Sequence, residues 1–325
     1  MLRGNSSVPA RAPDVEAYNL FLQGRYFAQR QSPEDSKRAI PYLQRSLDLD
    51  PSYAPAWVEL ANVNMTQADY GWIPSAEAYS RAREAVHQAL VLDPNLASAH
   101  SALGWIQSGI DRDWTAAEKS MRKALALEPG NPEVLTRTGL AVAGMGRLEE
   151  GLGLLEKALE RDPLRLDSLD YRAYVLTSMG RFDEAVAVSR KVFELDPSRG
   201  NAGFGIGLPL LLKGELDAAL QQMEGETTES WRLFGLSLVY HSLGRRADSD
   251  AELARLKQKY AGEMAFRIAE THAWRGENDL AFEWLDRAYD QQEAVLADIK
   301  LSQLVRRLSN DPRYTIFLKK MNLPA

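Results

Sequence analysis

Residues that could do chemistry are sparse in this chain. Its four histidines, His87, His100, His241 and His272, form no pair at a metal-ligand spacing such as HExxH. Cysteine is absent, which removes disulfides and thiolate metal sites. No Ser/His/Asp or Cys/His set can be assembled. The acidic pairs Glu149-Glu150 and Asp183-Glu184 stand where helices begin, and there they complement the helix dipole. Gly200, Gly203, Gly205 and Gly207 form a dense run, RGNAGFGIG, but GxGxxG is not matched and no strand precedes it. These patterns predict a protein that is not an enzyme and that holds no cofactor and no metal.

What must position the remaining side chains is a repeat. Ser178 to Pro197, SMGRFDEAVAVSRKVFELDP, reads as turn, helix and stop. Gly180 can take the left-handed backbone that ends one helix. Ala185, Val188 and Val192 form an apolar stripe at spacings of three to four. Pro197 closes the unit, because it cannot continue a helix ladder. Gly146, Gly151, Leu155, Ala158 and Pro163 stand 34 positions before Gly180, Ala185, Ser189, Val192 and Pro197. The closing prolines Pro129, Pro163 and Pro197 keep the same period of 34; Pro94 lies 35 before Pro129 and Pro51 lies 43 before Pro94.

A 34-residue unit of two helices resembles the tetratricopeptide repeat (TPR) family. The resemblance covers roughly residues 15 to 290 and implies an all-α fold: a right-handed superhelical solenoid of about eight helical hairpins. Residues 1–13 read as a flexible linker, 14–290 as the array, and 291–325 as capping helices, since terminal repeats need a polar outer face. Two departures from the period stand out. Gln67 to Ser75 is a long inter-helix loop, and one extra residue lies around Asp111-Arg112-Asp113. Both read as tolerated insertions. The second helix of the first hairpin is expected from about Ser36, with Pro41 early in it, where a missing N–H matters least. Each helical glycine costs about 1 kcal/mol relative to alanine, so a joint is expected at 200–207.

AYNLFLQGRYF, LAFEWLDRAYDQ and SNDPRYTIFLKKMNLP resemble the ends of TPR regions in multidomain bacterial signalling proteins. In those, the repeats follow an adenylate or guanylate cyclase, winged-helix or kinase domain. The resemblance implies a regulatory C-terminal domain as the alternative to a free-standing scaffold.

Composition limits the partners. The 325 residues are 45% hydrophobic and 26% charged, with net charge −6. Nucleic-acid binders carry basic surfaces, so no nucleic-acid partner is expected. No apolar run approaches the ~18 residues of a membrane span, and no membrane partner is expected. The chain suits the cytoplasm and leaves the periplasm open.

The function expected is protein-protein interaction, with a peptide or protein held in the concave groove. In the repeat register that face presents Tyr18, Phe21 and Arg25, then Asn62 and Met65, Ser101 and Trp105, and Thr136 and Leu140. Asp170, Tyr174, Phe204, Leu208, Trp231, Phe234 and Phe266 continue it. A TPR clamp for acidic chaperone tails uses Lys and Asn; Arg25 and Asn62 supply at most half of one. The face is aromatic with few charges, which favours apolar side chains of a partner and weak salt dependence. The competing reading packs these rings against a neighbouring helix or another copy of the chain.

Overall fold

A computed structural model describes residues 14–323; the linker expected at 1–13 lies outside the described residues. The described chain is built of α-helices joined as antiparallel hairpins. They are α1 (Val15–Gln29) with α2 (Pro33–Leu49), α3 (Ala54–Asp69) with α4 (Ser75–Leu92), and α5 (Ala97–Ile106) with α6 (Trp114–Leu127). Then come α7 (Pro132–Gly144) with α8 (Leu148–Arg161), α9 (Leu166–Ser178) with α10 (Phe182–Leu195), and α11 (Ala202–Lys213) with α12 (Leu216–Glu224). The last two hairpins are α13 (Glu229–Ser242) with α14 (Arg246–Tyr260), and α15 (Ala265–Trp274) with α16 (Asn278–Asp290). A final helix, α17 (Pro312–Lys320), follows two short 3-10 turns, Ala294–Asp298 and Val305–Asn310. Eight hairpins thus stack into a TPR superhelix.

Local chemistry sets the ends of these helices. Asp14 caps α1 by accepting from the backbone N–H groups of Glu16 and Ala17 at 2.9 and 3.1 Å, and Asn131 does the same for α7. Such caps satisfy donors that the first turn leaves free. Gly180 sits at φ +78, where the N–H of Arg181 reaches back to the Leu176 carbonyl at 2.9 Å. Close approach then needs small residues. A Cβ on Gly151 would stand 2.5 Å from the Gly139 carbonyl oxygen, and Ala185 is wholly buried.

The helix α2 begins earlier than expected, at Pro33 with Ser32 as its cap. Pro41 therefore lies in the helix interior, on its exposed side. The earlier start follows from Ser32, whose hydroxyl accepts from the Asp35 N–H at 3.1 Å.

The core is divided along the array, as nearest-neighbour stacking requires. The largest apolar cluster joins α11 to α16 with the C-terminal residues Leu296, Ile299, Leu304, Leu308 and Phe317. A second runs through α7 to α10 and includes Leu301. After α16 the chain turns inward: Ala294–Asp298 lies against α3, α7 and the π-helical turn Gln107–Asp111 that ends α5.

Candidate binding site

The first helices of successive hairpins face the superhelix interior, and three irregular segments cross or close it. The first is the C-terminal segment 294–304. A Cβ on Gly109 would touch the Ala294 side chain at 3.0 Å, and one on Gly144 would meet the Ala297 carbonyl at 3.2 Å. Ser178 donates to the Leu301 carbonyl at 2.5 Å, and Gln303 donates to the Ser178 carbonyl at 2.7 Å. The segment thus runs past the C-terminal ends of α5, α7 and α9 in order.

The second is the long loop after α3. Tyr70 donates its hydroxyl to Gln31 at 2.8 Å, and its ring meets Trp231 edge-on at 6.3 Å. Gly71 packs against Met264, and Trp72 against Gly200. The third is the extra residue in the third hairpin. Arg112, at φ +53, stacks its guanidinium 3.9 Å from the Tyr289 ring centroid. Beside it the indole of Trp114 donates to the Met321 carbonyl at 2.9 Å. Both departures from the 34-residue period therefore bring distant hairpins together.

A buried arginine ties the first hairpin to the fifth and sixth. Arg199 is 1% exposed. It donates to Asp167 at 2.8 Å and to the Gln29 carbonyl at 3.2 Å, and it pairs closely with Asp170. Gln31 also reaches Asp167 at 2.9 Å.

These contacts border a central cavity of about 170 Å³. Of the expected concave residues, Trp105, Leu140, Asp170, Tyr174, Phe204, Leu208 and Trp231 line it. Arg25, Asn62, Met65 and Thr136 border two smaller polar clefts next to it, where Arg137 and Arg165 face Glu133 and Asp167. Tyr18 and Phe21 lie apart, packed with Tyr53 at ring distances of 6.3 and 5.2 Å. Ser101, Phe234 and Phe266 are buried and line none of these cavities.

Several cavity residues gave no signal in the repeat register: Asp69, Tyr70, Tyr171, Arg267, Glu270 and Asp298. The interior is consequently more charged than its first-helix aromatics imply. Trp105 stacks on Tyr171 at 6.2 Å and donates its indole N–H to Asp69 at 3.2 Å. Asp69 also accepts from the Tyr79 hydroxyl at 2.6 Å. Burial pushes the Asp69 carboxyl up to about 6 against these hydrogen bonds. Arg267 pairs with Glu270 at 2.8 Å and lies 5.0 Å from the Trp231 ring centroid. Ser302 of the crossing segment donates to Glu270 at 2.5 Å. Burial raises Asp298 to about 7, opposed by Arg267 and reinforced by Asp69 and Glu270.

Among the described residues no three His, Asp or Glu side chains gather as a metal site, and no helix is long and apolar enough to cross a membrane. His100 and His272 are buried, bonded to the Pro94 carbonyl and to Glu277.

Residues 111–165 and 172–199 match family models of the tetratricopeptide repeat. The transcriptional regulator HilA of Salmonella typhimurium is 23% identical over 164 residues, 50% of this chain and 30% of HilA. The chain thus spans under a third of the length of that relative. Among solved structures, the human IFIT1 dimer with m7Gppp-AAAA superposes with a TM-score of 0.59 at 14% identity, covering 80% of this chain and 68% of IFIT1. A tetratricopeptide repeat protein from Parabacteroides merdae gives 0.51 at 16% identity, covering 78% and 99%. These similarities are of fold.

Proposed function

We propose that this chain, a protein of tetratricopeptide repeats, is a binding module without catalytic activity that holds part of a protein or peptide partner inside its superhelix. One observation carries the reading: Trp105, Leu140, Tyr174, Phe204 and Trp231, from five successive first helices, converge on one cavity. Aromatic side chains on rigid helices supply contact area at low entropic cost. Because segment 294–304 crosses the interior, a short projecting piece of the partner fits, rather than a long peptide along the whole face.

Of the remaining concave candidates, Tyr18 at the first hairpin and Arg25 and Asn62 at the polar clefts extend the contact surface outward, whereas Phe21, Met65 and Thr136 are buried. RNA such as the m7Gppp-AAAA named with IFIT1 would meet Asp69 and Asp298 here, and like charges repel it. The test is capture of partners by the intact chain, repeated with Trp105→Ala and Tyr174→Ala. The reading expects the same partner to be lost from both variants while far-UV helicity stays unchanged. A specific partner retained by both would place the interaction elsewhere.

A second reading is a regulatory C-terminal domain of a longer signalling protein or transcriptional regulator. The 164-residue similarity to HilA favours it. An in-frame winged-helix, cyclase or kinase domain encoded upstream of the first codon would support it.

A further inference from the structure

The charges around the central cavity do not balance. Its carboxylates are Asp69, Asp170, Glu270 and Asp298, and one cation, Arg267, lies among them. Arg267 is paired with Glu270, and Asp170 is paired with Arg199. That leaves two carboxyl groups without an ion-pair partner. Asp69 accepts only from the neutral donors of Tyr79 and Trp105. Asp298, on the crossing segment, makes no side-chain hydrogen bond and no ion pair among the described residues. Its nearest influences are electrostatic, from Arg267, Asp69 and Glu270. Buried carboxylates are ordinarily paired.

A further polar group is orphaned in the same cavity lining. Trp231 is 4% exposed, and its indole N–H has no hydrogen-bond partner. The Tyr174 hydroxyl meets no donor at good geometry, with Arg267 beside it. Trp105, Tyr171 and Tyr174 line the same cavity. Aromatic side chains attract cations through their ring faces, most strongly when desolvated.

We propose that the central cavity binds an organic ammonium group, held by Asp298 and Asp69 against the aromatic wall. This rests on the cavity being the binding site and names the chemical class it takes. The ammonium N–H groups would donate to the two carboxylates and to the Tyr174 hydroxyl. An oxygen on the same ligand would satisfy the Trp231 indole. Two sources share this chemistry, a lysine side chain of a partner and a free amine.

The experiment measures binding to the intact chain by tryptophan fluorescence and calorimetry. The probes are phenethylammonium and neutral 2-phenylethanol, and Nα-acetyl-lysine amide and neutral Nα-acetyl-norleucine amide. Each ammonium probe should bind about tenfold more tightly than its neutral counterpart, the scale of one charge-assisted contact. Asp298→Asn should abolish that preference, and Asp69→Asn should weaken it, each with its melting midpoint recorded to show a folded chain. Tighter binding of the lysine amide would identify a partner side chain, and tighter binding of phenethylammonium a free amine. Equal binding of charged and neutral probes, or a preference that survives both folded variants, would overturn the proposal. Loss of a captured partner in Trp105→Ala alongside equal binding of the probes would leave the cavity as the site and reject the ammonium.

Discussion

Arg112 and Tyr289 belong to the third and the eighth hairpin, yet the guanidinium lies 3.9 Å from the ring centroid and donates to the Tyr289 carbonyl at 3.3 Å. Hairpins five repeats apart meet because the stack turns back on itself. Asn322 strengthens the junction by donating to the Arg112 carbonyl at 3.3 Å. Removing the side chain with Arg112→Ala should cost about 1–3 kcal/mol, from a desolvated cation–π contact and a hydrogen bond to a charged group. Hydrogen exchange should rise in residues 294–304 and stay unchanged in α8. Faster exchange in α8 alone would show that Arg112 does not hold the closure.

Arg199 presents the opposite balance. It is buried with Asp167, Asp170 and the Gln29 carbonyl around it. Arg199→Ala would strand Asp170 while Asp167 keeps Arg165 and Gln31, and breaking a buried pair in this way costs about 3–5 kcal/mol. The thermal midpoint of Arg199→Ala should fall well below that of Arg112→Ala. If Asp170→Asn were combined with it, part of the loss should return, because one stranded charge is removed.

Ala185, in α10, is wholly buried in the cluster that joins α7 to α10. Leucine there should overpack the interface and cost about 1–3 kcal/mol. An unchanged melting midpoint in Ala185→Leu would mean that the two helices separate without loss.

The glycine run can be split by one pair of substitutions. A Cβ on Gly203 would stand 2.8 Å from the Gln222 carbonyl oxygen, whereas one on Gly205 would meet only the Ser189 hydroxyl at 3.8 Å. Gly203→Ala should therefore destabilise the chain, and Gly205→Ala should stabilise it by roughly 0.5–1 kcal/mol through helix propensity. We propose a joint at 200–207, which requires faster hydrogen exchange there than around Leu155 and Val188. Gly205→Ala should slow that exchange; uniform protection across the array would sink the joint.

The helical hairpins were legible because Gly180, Ala185 and Pro197 recur at a fixed period, and the period is a consequence of packing. The loop at Gln67 to Ser75 and the extra residue near Arg112 were legible as departures. Their partners were not, because Trp231 and Tyr289 are brought near by superhelical closure over more than 150 residues, which no local pattern encodes. The crossing segment 294–304 carries no helical period, so its apolar residues read as part of a cap. Asp69 and Asp298 gave no signal either: a carboxylate facing an internal cavity has the same sequence appearance as one facing water. Ser101 and Thr136 lie on first helices at positions where the helices touch; the Thr136 hydroxyl meets that of Ser168 at 2.6 Å.

The interior carboxylates make stability fall as pH rises. Burial raises Asp69 to about 6 and Asp298 to about 7 from 3.8, and Glu59 and Glu293 to about 7 from 4.5. Each group binds a proton more tightly in the folded chain than in the unfolded one. Its contribution is fully present below the unfolded value and is lost as pH rises through the folded one. Half-buried His241 and buried His272 are lowered, and they push the other way below about 6.5. Four carboxylates outweigh two histidines, so the melting midpoint should decline between about pH 5 and 8 and level off above it. A fully shifted group contributes up to about 1.4 kcal/mol per pH unit. Asp298→Asn should raise the midpoint at pH 8, leave it nearly unchanged at pH 5, and flatten the curve between. A midpoint that climbs steadily from pH 5 to 8 in the parent chain would show that these carboxylates are solvated or paired.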